Sequence, residues 1–194
     1  MMRARGWMPL ALGGAAVAFL WAPVLAVAYS DRPPAAHTGG FEEPTCHACH
    51  FDQPLDDPAG AVALQGVPSD YSTEESYRLT LLLTRAEMAR GGFQLATRFA
   101  EGERAGQQAG TLRALDERVQ VIEQGGILYA HQTRAGTSLD ASGTARWTLE
   151  WTPPEEGSGA VVLHLVGNAA NGDDSAFGDF IYTHSARSGG AKSK

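Results

Sequence analysis

From residue 61 onward the chain alternates apolar and polar side chains with a period of two, again and again. Residues 61–65 form a short first strand closed by Gly66 and Pro68. Tyr77, Leu79, Leu81 and Leu83 share one face, with Arg78, Thr80 and Leu82 on the other. Phe93, Leu95, Thr97 and Phe99 line up in the same way opposite Gln94, Ala96 and Arg98. Val119 and Val121 begin another strand, and Gln124-Gly125-Gly126 turns into residues 127–131. Trp147, Leu149 and Trp151 point inward until Pro153 and Pro154 stop the strand. Residues 160–166 are the most apolar run, a central strand, and residues 180–183 close the body. Seven or eight short strands at this spacing predict an all-β, Ig-like β-sandwich over residues 60–185. Residues 84–90 and 111–117 are the only stretches with a mild helical pattern. Residues 186–194 read as a disordered tail.

The segment ahead of the strands has no period. Residues 29–59 are an irregular arm studded with Pro33, Pro34, Gly39, Gly40, Pro44, Pro54 and Pro58. Before the arm, Arg3 and Arg5 precede an apolar run over residues 7–27, and Ala26-Val27-Ala28 supplies a small-residue cleavage site. Residues 1–28 therefore read as a signal peptide, which predicts a periplasmic or extracellular protein. Left uncleaved, the same run is long enough to anchor in a membrane.

Removing the leader leaves 13 Lys and Arg against 22 Asp and Glu, a net charge of −9. There is no basic stripe, which argues against nucleic acid. An acidic surface suits a secreted domain and also suits docking to a partner with a basic face.

The arm holds the chemistry. Cys46-His47-Ala48-Cys49-His50 is a C-x-x-C-H pentad, the pattern of covalent c-type haem attachment. Two thiols at this spacing can each bond one vinyl group of a porphyrin, and His50 would then be the proximal ligand to iron. The chain has two cysteines in all, so the pentad uses both. A redox disulfide would be expected beside a βαβ pattern, which is absent here. Structural zinc usually takes two such pairs, and four ligands within five residues surround one tetrahedral ion poorly. His47 should point away from the iron.

The second axial ligand decides the chemistry, since two strong ligands favour electron transfer and an open position permits small-molecule binding. His131, at a strand end, is the favoured candidate for the distal iron position. His37, Met88, His164 and His184 are the others. Asn168, Asn171, Asp173, Asp174 and Asp179 crowd one loop, but their spacing is not that of a D-x-D-x-D-G calcium loop. No hydrolase motif is present.

Several of these pieces resemble a known family. They are residues 37–40 (His-Thr-Gly-Gly), residues 43–52 through the pentad, and Gly92-Phe93-Gln94-Leu95. Trp147-Thr148 with Trp151-Thr152-Pro153, residues 168–171 and residues 178–182 complete the set. The chain resembles bacterial exported proteins with a Reeler-like β-sandwich, the choice-of-anchor V domain, in which a C-x-x-C-H motif precedes the sandwich. The resemblance implies one covalent haem c on an Ig-like sandwich and supplies no substrate. The expectation is an exported monohaem c-type cytochrome that passes electrons to a redox partner protein, with no substrate turnover. The alternatives are a binding or adhesion sandwich with a structural haem, and a five-coordinate haem sensor or peroxidase.

Overall fold

A computed structural model describes residues 31–155 and 159–190. Residues 1–30, which include the expected signal peptide, residues 156–158 and residues 191–194 lie outside the described residues. Nine strands follow in order: β1 (Gly60–Gln65), β2 (Tyr77–Arg85), β3 (Arg90–Phe99), β4 (Thr111–Ala114), β5 (Val119–Gln124), β6 (Ile127–Gln132), β7 (Thr144–Thr152), β8 (Val161–Ala170) and β9 (Phe180–Ser188). They form two antiparallel sheets, one ordered β1-β2-β7-β4 and the other β5-β6-β3-β8-β9. The body is an all-β sandwich, as the alternation predicts.

The inward positions are those the pattern marks. Leu79, Leu81 and Leu83 of β2, Phe93, Leu95 and Phe99 of β3, and Trp147, Leu149 and Trp151 of β7 are buried in one core. Both indoles keep a hydrogen-bond partner, with Trp147 Nε1 donating to Gly136 O at 2.8 Å and Trp151 Nε1 to Ala109 O at 3.1 Å. Gly91 is glycine for packing reasons. A Cβ there would sit 2.7 Å from Ala145 Cβ and 2.9 Å from Trp147 Cη2.

Three local expectations change. Residues 111–114 are the edge strand β4, because Leu112 is buried and the backbone pairs with β7. Residues 84–90 are the end of β2, a turn and the start of β3, with Gly143 O accepting from Arg85 N. Residues 186–188 are not tail but strand, in register with Val161, Val162 and Leu163 of β8.

The arm forms a third layer on the outer face of the five-stranded sheet. Gln94, Ala96 and Arg98 of β3 point away from the core, yet all three are buried. The Gln94 amide is spent entirely on the arm. Its Oε1 accepts from His37 N at 2.7 Å and its Nε2 donates to Pro34 O at 2.9 Å. Ala35 packs on Ala96 and Tyr129. Next comes a tight hairpin, in which Thr38 bridges to Thr45 and Glu43 N donates to Gly40 O at 3.1 Å. Phe41 and Glu42 at its tip have φ of +52° and +67°, the φ signature of a type I′ turn. Side chains other than Gly, Asn or Asp resist that conformation and keep it only where their surroundings enforce it. Here the Glu43 carboxylate pairs with Arg98 and Tyr129, and Phe41 lies edge-on to His164 at 5.6 Å. Gly40 passes so close to that imidazole that a Cβ would meet its Nδ1 at 2.3 Å.

Gln94→Leu should orphan two backbone groups of the arm, at about 1–3 kcal/mol each. Urea midpoints and hydrogen exchange of residues 34–45 will show the loss, with arm amides deprotected before those of β3. A second expectation concerns pH. Burial, and then the Arg98 charge, hold His164 below the ordinary imidazole value. The folded protein thus binds fewer protons here than the unfolded chain, so this contribution is complete above about pH 6.5 and is lost as pH falls below it. Arm protection measured at pH 7.5 and pH 5 should drop, and His164→Gln should lessen the drop.

Candidate functional site

The pentad opens with a single 3-10 turn, Cys46–Ala48, capped by Thr45, whose Oγ1 accepts from His47 N at 3.2 Å. Cys49 N and His50 N both donate to Cys46 O, at 3.2 Å and 3.1 Å. The turn separates the two histidines. His47 Nε2 lies 2.9 Å from Gln53 O, whereas His50 joins Cys46 and Cys49 on the wall of a groove.

The groove encloses about 530 Å³ of atom-free space, part of it open to solvent. Pro33, Pro34 and His37 of the arm line it together with Cys46, Cys49 and His50 of the pentad. Gly92 of β3 and Asn168 of β8, which are register partners, line it from the sheet, joined by Gln132 at the end of β6. Gly92 leaves the surface low, since a Cβ there would stand 3.3 Å from the Gln132 carboxamide. That carboxamide is held by Phe93 N, which donates to its Oε1 at 2.8 Å. Beyond His50 the space continues into a more polar recess that reaches Arg90, itself paired with Asp174 at 2.6 Å.

Both cysteines are free thiols. Cys49 is exposed. Burial pushes the Cys46 thiol up to about 12, with a smaller push from the Cys49 sulfur. A dithiol redox site works through a thiolate of lowered pKa, so this environment runs against that reading.

One ring nitrogen of His50 faces a buried carboxylate. Its Nδ1 lies 2.9 Å from Asp179 Oδ2, although the N–H is not aimed along that line, and its Nε2 lies 3.5 Å from Asn168 Nδ2. Asp179 is 1 % exposed and its Oδ1 accepts from Asn171 N at 3.0 Å. Asp52 continues this seam by accepting from Gly178 N at 2.8 Å. The sequence groups Asp179 with the turn residues of its loop and gives no sign that it meets the pentad.

Of the histidines considered for the second axial position, His37 lines the groove. Its Nδ1 is 2.8 Å from Ala35 O, which leaves Nε2 uncommitted by that contact. His131 is wholly buried on the sheet, with Nδ1 3.0 Å from Gln132 O and Nε2 without a partner. It is adjacent in sequence to the groove residue Gln132 but does not line the groove. Burial holds it below the ordinary imidazole value. Met88 is buried in the sandwich core, and His164 and His184 line a separate recess with Thr38 and Thr45. The oxygen-rich loop spends its side chains on itself, on β3 and on the pentad. Asp173 accepts from Ser175 N and from Asn171 Nδ2, and Asp174 pairs with Arg90. Among the described residues no group of three or more His, Cys, Asp or Glu is disposed to hold a bare metal ion.

No family model and no curated protein matches the chain. Among solved structures it is similar to the Reelin-N domain of F-spondin, at 19 % identity and TM-score 0.47, covering 72 % of this chain and 91 % of that one. It is also similar to the human F-spondin reeler domain, at 20 % identity and TM-score 0.46, covering 70 % and 92 %. A cohesin module from a Clostridium perfringens family 33 glycoside hydrolase stands at 13 % identity and TM-score 0.46, covering 68 % and 96 %. No helix among the described residues is long and apolar enough to cross a membrane.

In protein made without haem, iodoacetamide at pH 8 should modify exposed Cys49 first. Cys46, half-buried and with its thiol pushed up, should react more slowly. Peptide mass spectrometry over time checks the order, and equal rates would contradict the burial described for Cys46.

Proposed function

We propose that the groove holds one covalent haem c and that the protein is an exported electron carrier. The observation that carries this reading is the convergence of three features on one largely apolar groove. These are two free thiols at C-x-x-C spacing, the imidazole that follows them, and a glycine that leaves the sheet surface low. The donor set suits haem better than a bare ion. It offers one imidazole beside two sulfurs that bonding to vinyl groups would consume.

Haem c, when bound, supplies one-electron chemistry at iron. The rest falls to the chain. Cys46 and Cys49 would bond the porphyrin edge, and His50 Nε2 would face the iron. Arg90, at the polar end, suits the porphyrin carboxylates. His37 suits the second axial position by its place in the groove, with His131 the alternative favoured by sequence. Exposed Phe51 and Phe177, edge-on at 5.8 Å beside the pentad, would flank the exposed haem edge where a redox partner docks. The acidic chain would draw a partner with a basic face.

A pyridine haemochrome spectrum on protein exported with a cytochrome maturation system should show haem that survives acid–acetone extraction. Cys46→Ser with Cys49→Ser should abolish it. Colourless protein would overturn the reading. His37→Ala should turn a low-spin spectrum high-spin, whereas that change in His131→Ala instead would place the ligand in β6. A wild-type ferrous spectrum already high-spin and shifted by carbon monoxide would favour a sensor or peroxidase. Haem that does not cycle at accessible potentials would favour a structural plug in a binding module.

A further inference from the structure

The feature that the proposed function leaves unexplained is a buried carboxylate behind the pentad. Asp179 stands at the entry to β9, 1 % exposed, with no Lys or Arg partner at ion-pair distance among the described residues. A buried carboxylate without a cation is costly unless hydrogen bonds occupy its oxygens. One oxygen is satisfied by Asn171 N at 3.0 Å. The other has two neighbours, the His50 ring at 2.9 Å and the Asn168 amide at 3.5 Å. The strongest donor available to Oδ2 is therefore an Nδ1–H on His50, brought into line by a small rotation of the ring.

The Asn168 Nδ2 lies 3.5 Å from both Asp179 Oδ2 and His50 Nε2, which sets it on the carboxylate's side of the ring and off the axis of the Nε2 lone pair. The carboxylate contact therefore selects the tautomer, with the proton on Nδ1 and the lone pair on Nε2. That is the form in which imidazole binds a metal.

We propose that Asp179 is the positioning residue for His50, fixing the ring with Nδ1–H toward the carboxylate and Nε2 free for iron, and that its negative charge makes His50 a stronger donor. The inference rests on the haem reading for its second half only. Carboxylate–imidazole pairs behind a metal raise ligand basicity, and outer hydrogen bonding is one of the levers on haem potential. A more basic proximal imidazole favours ferric over ferrous iron, so the carboxylate should lower the reduction potential.

The two halves are tested separately. In haem-free protein, ¹⁵N chemical shifts of His50 at pH 8 should report the Nδ1–H tautomer in wild type and a mixture of tautomers in Asp179→Ala. In haem-loaded protein, Asp179→Asn keeps an acceptor for Asn171 N but removes the charge. It should favour the ferrous form at least tenfold, which is 59 mV for one electron. A merely structural role for Asp179 would move neither the tautomer nor the potential. An Nε2–H tautomer in wild type, or a tautomer unchanged by Asp179→Ala, overturns the positioning role. A potential unchanged in Asp179→Asn overturns the tuning role. Absence of covalent haem would sink the proposed function while leaving the tautomer measurement to decide this one.

Discussion

A buried carboxamide ties the sheet to the segment that lines the groove, residues 34–37, which has no strand of its own. Gln94 has its side chain on the outer face of β3, where an isolated sheet would meet water. It instead gives Oε1 to His37 N and Nε2 to Pro34 O, so the arm is held as though it were another strand. Both ends of the amide are satisfied, which is what allows a polar side chain to be fully buried here. With residues 34–37 fixed, the hairpin and the pentad that follow have nowhere to go but across β3 and β8.

Two adjacent glycines in β3 serve opposite faces of the sheet. Gly91 faces the core and makes room for the Trp147 indole, while Gly92 faces the arm and keeps the groove open beside Gln132. Core packing and groove are therefore set by the same dipeptide. The pairing of Gly92 with Asn168 brings the groove next to the seam that joins Asn168, Asp179 and His50. Sheet register thus decides which polar groups surround the histidine.

The sandwich was legible because a period of two reports which face of a strand is apolar, as at Leu79, Leu81 and Leu83 or at Trp147, Leu149 and Trp151. The same rule cannot report a third layer. Gln94 and Arg98 are polar because they bind the arm, and in sequence they look the same as residues facing solvent. Residues 111–114 do not read as a strand because four residues with a single inward leucine carry too little alternation. The pentad could be read from spacing alone. Its surroundings could not, since Asp52 meets Gly178 across 126 positions and His50 meets Asn168 across 118. Asp179 carries no local mark, for an aspartate after glycine in a polar loop is ordinary turn chemistry.

The strained hairpin tip bears on how the molecule assembles. Phe41 and Glu42 hold positive φ only against Arg98, Tyr129 and His164, and these residues come from β3, β6 and β8. The N-terminal layer leaves the ribosome first, yet its anchoring surface is complete only once β8 has paired with β3. Until then the hairpin that leads into the two thiols lacks the residues that hold its tip. The pentad thus comes to rest on its groove only after much of the chain that follows it has paired, so chain order separates the making of the two thiols from the making of the wall they face.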